Sequence, residues 1–350
     1  MISILLSLPL AYYITLEALK RLSPNPKPPT KQSLCYFSAI HSDNPSHHLP
    51  SISNSSPSVE LSVVVPAFNE QDRLKSGLAS ALNWLESRRI NSATSSSNLG
   101  TYELIIVDDG SSDKTLEIAI QLALEHAKIV NQLGQGEIRV FSLGKNRGKG
   151  GAVRHGVLHS RGEKVLFVDA DGASNFLDLS KLIEKLDEIV VYENSSLKEN
   201  QKEAFGIAIG SRAHLESDPS VVSRSKFRNF LMKGFHLYLI ILGLKDIKDT
   251  QCGFKLMTRA AAREVISGLH VEGWIFDVEL LLRAKLRKPS IPVIEVPIRW
   301  NEVGGSKLSI LKDSIVMAIE LFLIRINYCL GVWKISQQHD ENAISNKKNH

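Results

Sequence analysis

Residues 163–171, EKVLFVDAD, run as an apolar stretch into two aspartates, Asp169 and Asp171, with only Ala170 between them. Paired carboxylates repel each other and resist desolvation, so something positive belongs opposite them. A bound cation would serve, as would a neighbouring Arg or Lys, or simply the water around a loop. One Asp-x-Asp decides nothing. Two more apolar runs end in the same way, however: LSVVVPAF (61–68) leads into Asn69 and Glu70, and YELIIVDD (102–109) closes on Asp108 and Asp109. Carboxylates gathered on one edge make a poor bare phosphate site. They suit a cation, or the hydroxyls and donors of a ribose and a base.

The elements that must hold these residues are strands. Their hydrophobicity is continuous rather than alternating, as in strands covered on both faces. A further run of this kind, EIRVFSLG, occupies 137–144, and helical patterns fill 71–89 and 113–130 between the runs. The alternation predicts an α/β fold, a mostly parallel sheet flanked by helices, with ligands beyond the carboxyl ends of its strands. The glycine-rich stretch LGKNRGKGGAVRHG (143–156) brings Lys145, Arg147, Lys149 and Arg154 near the strand that ends at Asp169. Its spacing is not that of a Walker phosphate loop. Contact with a phosphate and a structural glycine turn with solvated bases both fit it.

The 350 residues, 43% hydrophobic with a net charge of +5, allow one large core or two modest ones. The mild positive balance favours an anionic partner, a phosphate or a membrane surface, and falls short of the basic stripe of a nucleic-acid binder. Three scattered cysteines, Cys35, Cys252 and Cys329, give neither metal-ligand spacing nor a disulfide framework, in keeping with a reducing compartment. Residues 1–21 are expected to form a transmembrane anchor, since the apolar run MISILLSLPLAYYITLEAL reaches roughly 28 Å as a helix. Lys20, Arg21, Lys27 and Lys31 follow and put the rest of the chain in the cytosol. Residues 22–60, rich in Pro, Ser, Asn and His, read as a flexible tether. The tracts 226–246 and 311–335 read as amphipathic, membrane-associated helices or as core helices, and 336–350 as a polar tail.

Five motifs in order, VVVPAFNE, IIVDDGSSDKT, GKNRGKGGAVRHG, VLFVDADGAS and GSR (210–212), resemble the family 2 glycosyltransferases, which share the GT-A fold and use nucleotide sugars. The likeness covers about residues 61–307, within an expected GT-A domain of 61–310. DTQCGFKLM (249–257), GWIFDVELLLRA (273–284) and VPIRWNEVGGSKL (296–308) resemble the branch that glucosylates or mannosylates polyprenyl phosphates.

The resemblance implies that Pro66, Phe68 and Glu70 line a uridine pocket with Val107 and Asp109. Asp169, Ala170 and Asp171 would contact the nucleotide, the two aspartates holding Mg²⁺ or Mn²⁺. It further places Arg212 and Lys307 near the donor phosphates, Arg224 at the acceptor phosphate, and Asp277 where relatives with hydroxyl acceptors carry a base. Two positions depart from mannosyl relatives: Ala173 stands where some have a metal-binding glutamine, and Asn301 where they have an arginine. The implied reaction is inverting transfer of glucose from UDP-glucose to dolichyl phosphate at the endoplasmic reticulum membrane. Mannose transfer from GDP-mannose, or a non-catalytic sugar-nucleotide-binding subunit, are the alternatives.

Overall fold

The structure, a computed structural model, describes residues 15–40, 49–92, 100–130, 136–196, 203–217, 234, 238–305, 307 and 310–335. Its strands are β1 (Tyr36–Ser38), β2 (Val59–Ala67), β3 (Tyr102–Asp108), β4 (Gly136–Ser142), β5 (Gly162–Val168), β6 (Ile207–Ser211), β7 (Phe254–Thr258) and β8 (Val293–Pro297). The helices are α1 (Leu74–Ser92), α2 (Thr115–Val130), α3 (Lys149–Leu158), α4 (Leu179–Ser196), α5 (Arg259–Ser267), α6 (Phe276–Leu286) and α7 (Ile310–Cys329).

All eight strands join one sheet in the order β1-β4-β3-β2-β5-β7-β6-β8. The long apolar runs are its parallel centre: β2 pairs with β3 and β5, and β3 with β4, in parallel. The sheet is mixed, with parallel pairing in the majority: β6 and β8 also pair in parallel, while β1 pairs antiparallel with β4, and β7 antiparallel with both β5 and β6. Successive strands move outward from β2 to β4, and the chain then returns to place β5 on the other side of β2. That reversal opens a crevice at the carboxyl ends of β2 and β5, the usual ligand position in such sheets. The β2–β5 ladder stops at Val64 and Phe167. Pro66, which has no N–H to give, therefore falls where β5 has already parted from β2, while β3 still runs beside it. Val63, Val64, Val65, Ile105, Ile106, Leu166 and Phe167 have no exposed surface and form the middle of the core.

Most of the expected anchor lies outside the described residues; only a helical segment over 15–22 is seen of it. Among the described residues no helix is long and apolar enough to cross a membrane. Part of the stretch expected to be a tether is folded onto the sheet. Thr30 donates its hydroxyl to the Leu143 carbonyl (2.9 Å), and Ser38 donates to Glu137 (2.6 Å). The reason is a buried cation. Arg139, wholly buried on β4, pairs with Glu103 at 3.0 Å and presents its guanidinium to the Tyr36 ring at 4.0 Å. Removing that ring leaves a buried charge half covered. Tyr36→Ala is expected to lower unfolding stability by about 1–3 kcal/mol. Urea denaturation checks it, and a change within error would show that β1 adds nothing.

Candidate active site

The loop after β5 is held on every side. Asp169 donates its backbone N–H to the Gly253 carbonyl (3.1 Å), and Asn301 donates its own to Ala173 (2.9 Å). The Ala173 N–H in turn donates to Asp171 Oδ1 at 3.0 Å, which orients that carboxylate. From α1, Gly77 packs directly on the Ala170 carbonyl, leaving no room for a Cβ. Gly253 does the same for the other aspartate: a side chain there would occupy the space filled by the Asp169 carboxyl. Asp169 and Asp171 thus end a rigid strand yet remain partly exposed.

The positive group opposite Asp169 is Lys149, the first residue of α3, whose Nζ lies 2.6 Å from Oδ1. Burial opposes the charge on Lys149, but Asp169 and Asp277 outweigh it and hold the ammonium above its usual pKa. Below it, Asp277 and Lys255 form a buried pair at 2.6 Å, and Lys255 also donates to the Cys252 carbonyl at 2.6 Å. Burial raises the Asp277 pKa, with Lys255 opposing. Asp277 is therefore committed to a lysine, not free at the surface as a base would be.

Arg212, at the end of β6, makes a two-pronged pair with Asp249 at 2.7 and 2.8 Å and sits 5.6 Å from the Trp300 ring. Burial opposes its charge, and Asp249 holds it protonated. At the end of β2, Pro66 and Phe68 are half-buried, and Glu70 is gripped by Arg73 through both oxygens, at 2.8 and 2.6 Å. Arg73 also donates to the Gly304 carbonyl at 2.6 Å, which ties β2 to the loop carrying Lys307. Burial raises the Glu70 pKa; Arg73 and then Lys307 oppose the shift, and Asp171 adds to it. Glu70, Asp171 and the exposed Lys307 thus share one neighbourhood.

Two expected pocket residues face inward. Val107 has no exposed surface and backs the crevice from within the core. Asp109 is buried, and its carboxylate accepts the N–H groups of Arg147 (2.7 Å) and Gly148 (2.8 Å), so its oxygens serve the loop before α3. The glycine-rich stretch is mainly a packing surface: Gly150 lies against Phe276, and Arg147 is paired with Glu272. Arg224 lies outside the described residues. Sequence reasoning missed Arg73, Asp249 and Lys255; Asp249 and Lys255 have their charged partners, Arg212 and Asp277, far along the chain, whereas Arg73 pairs with Glu70 only three residues away.

The acidic loop fits a divalent ion: two partly exposed carboxylates, one of them in a space that Gly253 keeps clear. Among the described residues no set of three or more His, Cys, Asp or Glu side chains gathers, so the remaining ligands would be diphosphate and water oxygens.

A crevice at the carboxyl ends of β2 and β5, with two loop carboxylates and flanking arginines, is the outline of the site. The family model for Glycosyl transferase family 2 matches residues 62–266, and the chain belongs to that family. Among curated proteins it is 46% identical over 289 residues to the dolichyl-phosphate beta-glucosyltransferase of Mus musculus, covering 83% of this chain and 82% of that one. The Homo sapiens protein of the same name is 45% identical, covering 84% and 83%, and that of Saccharomyces cerevisiae 40% identical, covering 95% and 93%.

Two measurements follow from the geometry. Gly77→Ala adds a methyl to a helix, which ordinarily stabilises by up to about 1 kcal/mol. Here it must push the Ala170–Gly172 backbone away, so unfolding stability measured by urea denaturation is expected to fall by about 1–3 kcal/mol instead. Burial also pushes Asp109 up to about 6 from 3.8. A raised carboxyl makes the folded state lose stability as pH rises from about 4 to 6, while only the unfolded chain is fully ionised. Urea midpoints of wild type minus Asp109→Asn should fall across that window and stay level above it. A difference that rises between pH 4 and 6 would contradict the assignment.

Proposed function

We propose that this protein is a membrane-anchored inverting glucosyltransferase that moves glucose from UDP-glucose to dolichyl phosphate. The observation that carries the reading is the Asp169–Ala170–Asp171 loop at the crevice between β2 and β5. It lies in a chain closely related, over most of its length, to proteins named for that reaction.

Pro66 and Phe68 pack the base, with Glu70 presented by Arg73 toward its donors. Asp169 and Asp171 would hold Mg²⁺ or Mn²⁺, which would supply positive charge against the negative charge of the diphosphate. Arg212, fixed by Asp249, and Lys307 face the donor phosphates, and Arg224 meets the acceptor phosphate. Dolichyl phosphate is already an anion, since the second ionisation of such a monoester lies near 6. The chain then has to position and neutralise more than to abstract a proton. Asp277, held by Lys255, is a positioning residue for Lys149 and the loop. Attack from the face opposite UDP inverts the anomeric centre.

The lipid acceptor requires a membrane surface, and α7 supplies a face for it. Its polar stripe turns inward: Glu320 packs on Gly273, and Asn327 donates to Ser23 at 2.7 Å, just beyond the 15–22 helix. Ile315, Val316, Ile319 and Phe322 point to solvent, 45–64% exposed. An apolar face joined to the end of the anchor lies on the same bilayer. With the anchor inserted through residues 1–21, the catalytic domain faces the cytosol at the endoplasmic reticulum.

Label transfer from UDP-glucose and, in parallel, GDP-mannose to dolichyl phosphate tests the reading with detergent-solubilised full chain. EDTA-sensitive transfer from UDP-glucose is expected, reduced about a hundredfold or more in Asp171→Ala. Transfer from GDP-mannose alone overturns the donor, and UDP binding without any transfer overturns the activity. For the membrane face, Ile319→Glu combined with Phe322→Glu should raise KM for bilayer-embedded dolichyl phosphate about tenfold or more, with UDP affinity unchanged. An unchanged KM would remove α7 from the lipid surface.

A further inference from the structure

Three arginines around the crevice are committed in pairs. Arg73 holds Glu70, Arg147 holds Glu272, and Arg212 holds Asp249. Lys149 differs, because its carboxylate, Asp169, is one of the two that would take the divalent ion. The pair is only partly open: the Lys149 side chain is 16% exposed and that of Asp169 34%. Behind it stands the buried pair of Asp277 and Lys255. Asp169, Lys149, Asp277 and Lys255 therefore alternate in sign and sum to zero. A divalent ion arriving at Asp169 meets an ammonium 2.6 Å from the oxygen it needs.

We propose that Lys149 is the resident counter-cation of the acidic loop, holding Asp169 until a divalent ion accompanied by a nucleotide diphosphate takes that carboxylate over. The inference rests on the reading of Asp169 and Asp171 as metal ligands, but not on the identity of sugar or lipid. Its physical basis is charge balance. Alone, the ion adds two positive charges beside the ammonium and must displace it. With a diphosphate, negative charge enters at the same time, and both cations find partners. Lys149 thereby couples the two ligands: each is bound weakly alone and more tightly in the presence of the other, by the same factor. The consequence is an enzyme that does not load metal without donor.

Mn²⁺ titration of the detergent-solubilised full chain, followed by electron paramagnetic resonance with and without UDP, reads this directly and contains neither sugar nor lipid. Wild type should bind Mn²⁺ weakly alone and more tightly with UDP. In Lys149→Met, Mn²⁺ alone should bind about tenfold tighter or more, the range by which an adjacent cation changes a carboxylate's affinity for positive charge. The gain from UDP should shrink correspondingly. Lys149→Gln, which keeps an amide donor for Asp169, replaces the Met variant if that variant does not fold. Lys149→Arg should behave as wild type, since the charge is kept.

Unchanged Mn²⁺ affinity in the neutral variants, or an Arg variant that tracks them, overturns the proposal. If transfer from UDP-glucose is observed and the Mn²⁺ shift is not, only this inference falls. If the shift is observed without transfer, the coupling stands and the reaction assignment falls.

Discussion

A fully buried ammonium, that of Lys255, is the point from which the site is laid out. It lies on β7 with no exposed surface, between the Asp277 carboxylate, the Cys252 carbonyl and the Phe167 ring, 5.2 Å from the ring centre. Breaking such a pair from one side leaves an uncompensated charge and costs about 3–5 kcal/mol. That penalty pins the first turn of α6, which carries Asp277, against the end of β7. The segment just before α6 then receives α3: the Gly151 N–H donates to the Glu272 carbonyl at 3.0 Å, and Gly150 closes on Phe276. The start of α3 is where Lys149 stands. The position of the ammonium facing Asp169 is thus inherited, through two helix starts, from a lysine that never meets solvent.

A second route reaches the same loop from the chain's beginning. Arg147 pairs with Glu272 and also donates to the Lys27 carbonyl at 2.7 Å, while its N–H and that of Gly148 hold Asp109. Residues 23–38 therefore brace the wall of the crevice and cover Arg139 on the sheet edge. Composition rich in proline and serine signals a lack of apolar period, and that much was correct. What it cannot signal is a single aromatic ring placed over a buried guanidinium, because the need for it lies a hundred residues away on β4.

The parts legible in the sequence share a cause. β2 to β5 announce themselves because burial on both faces demands continuous apolar runs, and their acidic ends stand out against that background. The short strands β6, β7 and β8 give no such run, and the antiparallel pairing of β7 follows from tertiary order alone, so the sheet proved mixed. Among site residues, the Asp169–Ala170–Asp171 loop was legible as a carboxylate pair in need of a cation. Asp249 and Lys255 were not, since the fold brings in the partners that define them, Arg212 and Asp277; the Glu70–Arg73 spacing was readable as a local pair and was missed. Asp109 and Asp277 were legible as acids at the right strand and helix ends, but whether an acid points into a cleft or latches a loop depends on which N–H or ammonium lies behind it. Arg224 falls outside the described residues.

Those commitments carry a chemical consequence. Glu70 is held by Arg73, Asp169 by Lys149, Asp277 by Lys255, and Asp109 by two backbone N–H groups. Asp171 accepts from the loop's own backbone. Each of these carboxylates thus has a fixed hydrogen-bonding or ionic partner, an arrangement suited to holding charge still. An acceptor hydroxyl would need one of them released as a base. A phosphate monoester, ionised before it arrives, needs none. In the proposed reaction a donor diphosphate and an acceptor phosphate would have to be brought together against their mutual repulsion, and ammonium and guanidinium groups already fixed by their partners would do this without reorganising.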